Sequence, residues 1–257
     1  MRFPLFVLIL SLCTLGALPA KAAPENQNPQ MQASIVVSGF QGIVEEQLAG
    51  ILHAERAIAA GADAQSGDWA RVRSALVRLS DDLPTASAVW YAFPDGHYYT
   101  VEKGLVTQNL KDRTYFPTLL AGKDVEGDLV ISKSTGQRSV IVATPVMLNG
   151  KTIAAIGVSV SANLLSQWVD QKIQLPADMY FYAINRDGKI ALHRNIDRIF
   201  KHPEDIGDEA LGPVFNTVLD KQRGVFSYTL NGAEITAVYQ ASTQSGWHFF
   251  IAKIHGR

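Results

Sequence analysis

The sequence predicts an α+β fold: a long N-terminal helix bracing two similar modules, each an antiparallel sheet with flanking helices. Three observations carry this. Apolar residues recur at helical spacing from residue 35 to 58, the spacing changes to alternation near residue 87, and two strand–turn–strand stretches recur in the same order later in the chain.

The N-terminus belongs to a different class. Met1-Arg2 is a short positive start, Phe3–Leu18 is an almost unbroken apolar run, and Ala20-Lys21-Ala22 offers the small residues that signal peptidase needs. Residues 1–22 are therefore expected to be a cleaved secretory signal, with a retained anchor as the rival; the run is shorter than the roughly 20 residues of a spanning helix. The single cysteine, Cys13, lies in this run, and Leu12 precedes it where lipoprotein processing wants a small residue. Cleavage after Ala22 leaves no cysteine, hence no disulfide, thiol catalysis or cysteine metal site. The expected location is periplasmic.

Residues 23–66 are read as a linker, Pro/Asn/Gln-rich at 24–34, followed by the long helix. Ile35, Val36, Phe40, Ile43, Val44, Leu48, Ile51, Leu52 and Ile58 hold helical spacing over about seven turns. Residues 67–171 form the first module. It opens on a helix in "SGDWARVRSALVRLSDDLP", with Asp68 as N-cap and Trp69, Val72, Leu76 and Leu79 as the buried stripe. "SAVWYAF" and "HYYTVE" flank Pro94-Asp95-Gly96 and read as a hairpin; "GDLVISK", "SVIVATPVML" and "KTIAAIGVSVSA" follow as strands, the last two joined by Asn149-Gly150 in a type I′ turn. "ANLLSQWVDQ" closes the module as a helix. Residues 172–257 form the second module, ending on the alternating strand "GWHFFIAKIHGR", with Trp247 as core. The repeat pairs "YAFPDGHYYTVEKG" with "YAINRDGKIALHRN", and "MLNGKTIAAIGVSVS" with "TLNGAEITAVYQAS".

Composition narrows the function. At 257 residues, 47% hydrophobic and a net charge of −1, the chain has no basic tract to bind nucleic acid or an anionic membrane surface. The six histidines are scattered without metal-pair spacing; His193 and His202 with Asp197 do not make a metal site, and no Gly-x-Ser-x-Gly elbow marks a nucleophile. No metal, cofactor or catalytic residue is expected.

The segments "VWYAFPDGHYYTVEKG", "LKDRTYF", "GDLVISKSTGQRSVIVATPV" and "IAAIGVSVSANLLS", in that order, resemble the double Cache sensors, periplasmic PAS-like ligand-binding domains, and the similarity extends over roughly residues 35–257. The resemblance implies a long helix, a membrane-distal ligand-binding module and a membrane-proximal module. Relatives usually continue into a transmembrane helix and an output domain; ending after the second module resembles the stand-alone exported members.

In amino-acid-sensing relatives an Arg-x-aromatic-aromatic stretch holds the ligand carboxylate and strand aspartates hold the ammonium. Arg113, Tyr115 and Phe116 match the first part, whereas the aspartate positions fall on Lys133 and Ser159. The resemblance thus implies a ligand site of Arg113, Tyr115, Phe116, Lys133, Ser159, Tyr91 and Tyr99, suited to an anion rather than a zwitterion. A guanidinium grips a carboxylate bidentately, and two cations without a facing carboxylate repel an ammonium. The bland alternatives are that Arg113 pairs with Asp112 or Asp128, and that Lys133 snorkels from a strand end on the face of Leu129 and Ile131. Small Ala155, Gly157, Ser159 and Ser161 leave room either for a ligand or for a closely packed helix.

The leading expectation is a non-enzymatic exported protein that binds a small carboxylate-bearing metabolite in the first module and reports it to a membrane partner. A structural protein whose Cache pocket is filled by its own side chains is the alternative; a hydrolase has no supporting motif.

Overall fold

The computed structural model describes residues 29–256, and the expected signal peptide at 1–22 lies outside the described residues. Helix α1 (Pro29–Ala59) starts earlier than expected, taking in residues assigned to the linker. Pro29 suits a first helical position, and Gln, Met and Ala are adequate helix formers, so polar composition there did not mean loose chain. The stretch Met31–Ala59 is long enough to cross a bilayer, and its most apolar 18-residue window has a mean hydropathy of 1.2. Phe40, Val44 and Leu48 within it are nevertheless wholly buried against the two sheets. Short α2 (Ala62–Gln65) precedes α3 (Trp69–Asp81), where the Asp68 carboxylate caps the helix by accepting from the Ala70 N–H at 2.8 Å.

The first sheet holds β1 (Ala86–Ala92), β2 (Tyr98–Thr100), β3 (Gly104–Val106), β4 (Val125–Ile131), β5 (Arg138–Leu148) and β6 (Lys151–Ser161), in the order β3-β2-β1-β6-β5-β4. A short α4 (Phe116–Leu120) lies in the long connection from β3 to β4, and α5 (Ala162–Ile173) leads out of β6. The second sheet holds β7 (Met179–Ile184), β8 (Ile190–His193), β9 (Arg223–Leu230), β10 (Ala233–Ala241) and β11 (His248–His255), ordered β8-β7-β11-β10-β9, with α6 (Leu211–Leu219) between β8 and β9. All pairings are antiparallel.

The two orders superimpose when β1 is matched with β7 and β6 with β11. The first repeated hairpin then occupies equivalent positions, β1–β2 and β7–β8. The second does not: Asn149-Gly150 joins β5 to β6, but Asn231-Gly232 joins β9 to β10, one strand earlier in the module. Both turns have positive φ at both central residues, 51° and 75° against 51° and 77°, as a type I′ turn demands. That echo reports shared turn chemistry, not shared position.

One face of each sheet packs on α1, and these faces share a core. Phe40 of α1 lies 5.0 Å from Phe181 and 5.1 Å from Phe249 of the second sheet, while Leu48 and Ile51 join the same cluster as Val89, Ile156 and Val158 of the first. Buried Trp247, ahead of β11, belongs to this core, and its indole donates to the Gly127 carbonyl in β4 at 3.2 Å. The opposite faces carry separate cores, one per sheet. An antiparallel sheet needs only one face on the common core, so each is left a second face of its own.

Candidate functional site

On the second face of the first sheet, the β3–β4 connection folds over β1, β4 and β6. Its position is fixed at the Asp95-Gly96 turn. The Leu110 N–H donates to the Gly96 carbonyl at 2.8 Å, and Asn109 Nδ2 donates to the Asp95 carbonyl at 3.0 Å. Gly96 has φ 87°, and a Cβ there would lie 2.1 Å from Asn109 Oδ1, so only glycine permits this contact. Arg113 follows, its N–H bonded to the Leu110 carbonyl at 2.9 Å.

Arg113, Tyr115, Lys133 and Ser159, four of the expected residues, converge on one small cavity; Trp90, Tyr98, Leu110, Val130, Ser132, Ser134 and Ile141 complete its wall. Its interior volume is about 10 Å³, room for about one water. Trp90 takes much of the space. It pairs with Gly157 across β1 and β6, and a Cβ on Gly157 would approach the indole Cζ2 to 2.0 Å. The small residues of β6 thus make room for an indole, rather than for a helix.

Three expected residues lie elsewhere. Tyr91 faces the α1 side, fully buried, with its hydroxyl donating to the Ala64 carbonyl of α2 at 2.6 Å. Tyr99 stacks on Trp69 of α3 at 5.2 Å. Phe116 opens α4 and packs in the apolar core beside the cavity without lining it. Strand alternation explains the first two: β1 and β2 present Trp90 and Tyr98 to the cavity, and their immediate neighbours to the helices. Within "SAVWYAF" and "HYYTVE" both faces are apolar or aromatic, so periodicity alone did not choose between them.

Lys133 also differs from the expected strand face. β4 is irregular between Glu126 and Asp128 and ends at Ile131, which is exposed, while Val130 and Ser132 face the cavity. Beyond the strand end the Lys133 ammonium turns in, donating to the Asn109 carbonyl at 2.5 Å and pairing with the Asp112 carboxylate. Hydrogen bonding to Lys133 holds the Asp112 carboxyl below its ordinary range. The lysine is therefore a tether for the overlying loop, with its charge already offset.

Arg113 is different. Its Nη2 donates to the Ile131 carbonyl at 2.5 Å, but its Nε is buried without an acceptor, and among the described residues no carboxylate forms an ion pair with it. Asp112 pairs with Lys133 and feels the Arg113 charge without an ion-pair contact, and Asp128, whose carboxyl is raised chiefly by burial, feels Asp187 and Arg186 of the second module. Burial raises the Tyr115 hydroxyl well above its usual range and raises Tyr98 also, with the Arg113 charge opposing both shifts. The cavity wall contains no aspartate or glutamate. It offers one cation with no ion-paired carboxylate among the described residues, two neutral phenols and three serines: donors for an anion, with aromatic surface around them.

The Cache domain family model matches residues 29–254. No curated protein sequence matches the chain significantly. Among solved structures, the ligand-binding domain of the Campylobacter jejuni chemoreceptor Tlp3 in complex with 4-methylisoleucine aligns at TM-score 0.68 and 16% identity, covering 93% of this chain and 96% of that one. The ligand-binding domain of the Pseudomonas fluorescens chemoreceptor CtaA in complex with L-isoleucine aligns at TM-score 0.64 and 15% identity, covering 88% and 91%. The ligand-binding domain of Mlp24 with asparagine aligns at TM-score 0.64 and 17% identity, covering 88% and 91%. These likenesses establish a common fold of one long helix and two antiparallel sheets. With the family match running through both sheets, the chain belongs to the Cache domain family.

Proposed function

We propose that this protein is an exported small-molecule sensor whose first module, the membrane-distal one, binds a carboxylate-bearing metabolite and reports it to a membrane partner. The observation that carries the reading is the buried Arg113 Nε without an acceptor. A buried N–H left unpaired costs about 1–3 kcal/mol, and a ligand carboxylate would supply the missing acceptor along with the counter-charge. The structural relatives are named as complexes with amino acids. Here the wall lacks an acid to hold an ammonium, so organic acids are favoured over ordinary amino acids. Binding requires the loop over Leu110–Arg113 to lift and Trp90 to shift, since the closed cavity holds about one water.

Thermal melts against organic acids, amino acids, amines and purines test the class of ligand; a ligand at a hundred times its Kd adds about 2.7 kcal/mol. Stabilisation by amines alone overturns the anion reading. Replacing Arg113 with alanine should weaken the identified acid by about 30- to several-thousand-fold, roughly 2–5 kcal/mol, while the ligand-free protein stays folded. Unchanged affinity in a destabilised protein would end the clamp role. Export is tested by the N-terminal mass of the periplasmic protein, which should begin at Ala23.

A second reading has its own observation. The indole of Trp90 seated over Gly157 fills the pocket from within, as in a module that has exchanged ligand binding for surface interaction. Its signature is no ligand response in the wild type but a response in Trp90→Ala.

A further inference from the structure

The second sheet has a polar cluster on its own outer face that the reading above does not use. Tyr180 Oη lies 2.6 Å from Tyr228 Oη, and the Tyr228 hydroxyl donates to Tyr182 at 3.4 Å. His193, at the end of β8 and 3% exposed, stacks on the rings of Tyr180 and Tyr182 at 5.4 and 5.9 Å. Arg198 comes from the 3-10 turn Ile196–Arg198 and lies over the Tyr180 ring at 6.0 Å.

Two of these groups face each other in a way that proton accounting makes informative. The backbone N–H of Asn195 donates to His193 Nδ1 at 2.7 Å, so that nitrogen carries no proton. Burial, aided by the Arg198 charge, pushes the imidazole down to about 3, so the ring is neutral near pH 7 and its one proton sits on Nε2. Arg198 Nη1 lies 3.3 Å from this same Nε2. A guanidinium cannot accept a hydrogen bond. Two donors therefore face each other, and the neighbouring acceptor for Arg198 is the neutral Tyr180 hydroxyl, which brings no counter-charge. They do so at the wall of a groove of about 470 Å³ that includes Tyr180, His193, Arg194, Arg198 and Asn231, and no aspartate or glutamate. The Arg194 charge is already paired with Asp170 (Nε to Oδ1, 3.0 Å), and its Nη1 donates to the Pro176 and Met179 carbonyls. Among the described residues, no carboxylate forms an ion pair with Arg198.

We propose that the second module carries an anion site of its own, in which a small carboxylate accepts from Arg198 and from His193 Nε2–H beside the Tyr180 ring. The apolar residues Leu230, Ile235 and Ile254 line the same groove, so the ligand class is a short-chain carboxylate whose few carbons lie against them. This inference stands independently of the Arg113 site.

Sodium propionate serves as the probe, with sodium chloride at equal ionic strength as the control. Long-range ¹H–¹⁵N spectra of the purified protein should show the Nε2–H tautomer for His193 before any addition. Propionate should then shift the His193 ¹⁵Nε2 signal with a millimolar Kd. Arg198→Gln should weaken that response at least tenfold, Arg198→Lys should fall between, and Arg113→Ala should leave it unchanged. An Nδ1–H tautomer in the wild type removes the two-donor argument whether or not any variant folds. No propionate response up to about 100 mM, an equal response to chloride (an adventitious ion only), or an Arg198→Gln titration matching the wild type each overturns the site.

Discussion

The two modules solve one packing problem with different side chains. Each sheet gives one face to α1 and keeps the other, and each second face places one arginine beside tyrosine hydroxyls with no paired carboxylate. In the first module the wall of β6 is small, with Gly157 and Ser159, and the space is taken by one large ring, Trp90, under a loop tethered by Lys133 and Asp112. In the second, aromatic residues fill the interior: Tyr182 stacks on Phe250 at 4.4 Å, Phe215 meets Tyr182 and Phe226 meets Phe250 edge-on, and Tyr228 stacks on Phe226. The second module keeps an interior cavity of about 10 Å³, no larger than the first module's, among Tyr180, Tyr182, His193, Phe215 and Tyr228, and beside it an open groove of about 470 Å³ at the β8 end. Both interiors are nearly filled, but Arg198 also reaches an open groove, whereas Arg113 faces a closed cavity.

The comparison presumes that the modules stand on one shared core, and Trp247 tests that most severely. It is 1% exposed, belongs to the second module by sequence, and donates to Gly127 in the first. Trp247→Ala should cost about 3–5 kcal/mol, read as the fall in urea unfolding free energy. Hydrogen exchange resolved by peptide should rise in both sheets together. Faster exchange in β7–β11 alone would show two independently stable units.

The helices and strands were legible because their periods were clean: Asp68 caps α3, and Val72, Leu76 and Leu79 are buried as the spacing requires. Alternation in β6 likewise separated Ile156, Val158 and Val160 from Gly157 and Ser159. Which face meets the helix was not legible in β1, where both faces are apolar, and this put Tyr91 and Tyr99 in place of Trp90 and Tyr98. A one-residue choice reverses every side chain of a strand. The Lys133–Asp112 pair was hidden for another reason: it joins a strand end to an irregular loop, and nothing periodic links them. His193 read as one of six scattered histidines because its meaning depends on the Asn195 N–H and on a 3-10 turn, both local accidents of chain path. The Asn-Gly echo shows the opposite risk, since strong turn chemistry made two non-equivalent hairpins look alike.

A smaller effect distinguishes the two halves of α1. Glu55 is wholly buried in the half that meets the first sheet, and neither carboxyl oxygen has a hydrogen-bond partner. Burial raises its pKa well above 4.5, the nearby Val158 backbone N–H opposes the shift, and Asp124 adds to it. The folded state therefore holds a proton that the unfolded chain releases near pH 4.5. Stability from this group is complete below that pH and is lost as pH rises through the raised folded value. Glu55→Met should add about 1–3 kcal/mol at pH 8 and little at pH 4, flattening the dependence of Tm on pH. Because both sheets stand on one core, the gain at pH 8 should appear as slower exchange in β5, β6, β10 and β11 together. Parallel Tm curves for the two proteins would show that Glu55 ionises without penalty.

The smallest effect bears on why the first site is partly masked and the second is not. Asp112 is exposed and pairs with Lys133, so the positive potential that Lys133 brings to the Arg113 cavity is offset by a solvent-facing acid; no such acid lines the Arg198 groove. An exposed pair contributes little to folding, and Asp112→Asn should shift Tm by no more than about 2 °C. Its effect should fall on binding. With the acid neutralised, Lys133 faces the cavity uncompensated, and affinity for a carboxylate in the first module should rise about two- to fivefold at low ionic strength, the gain vanishing near 1 M salt, where screening reaches about 3 Å. Propionate binding at Arg198 should not change. A fall in first-module affinity would instead mean that the Asp112 tether, by holding the loop over Arg113, matters more to the closed site than the charge it removes.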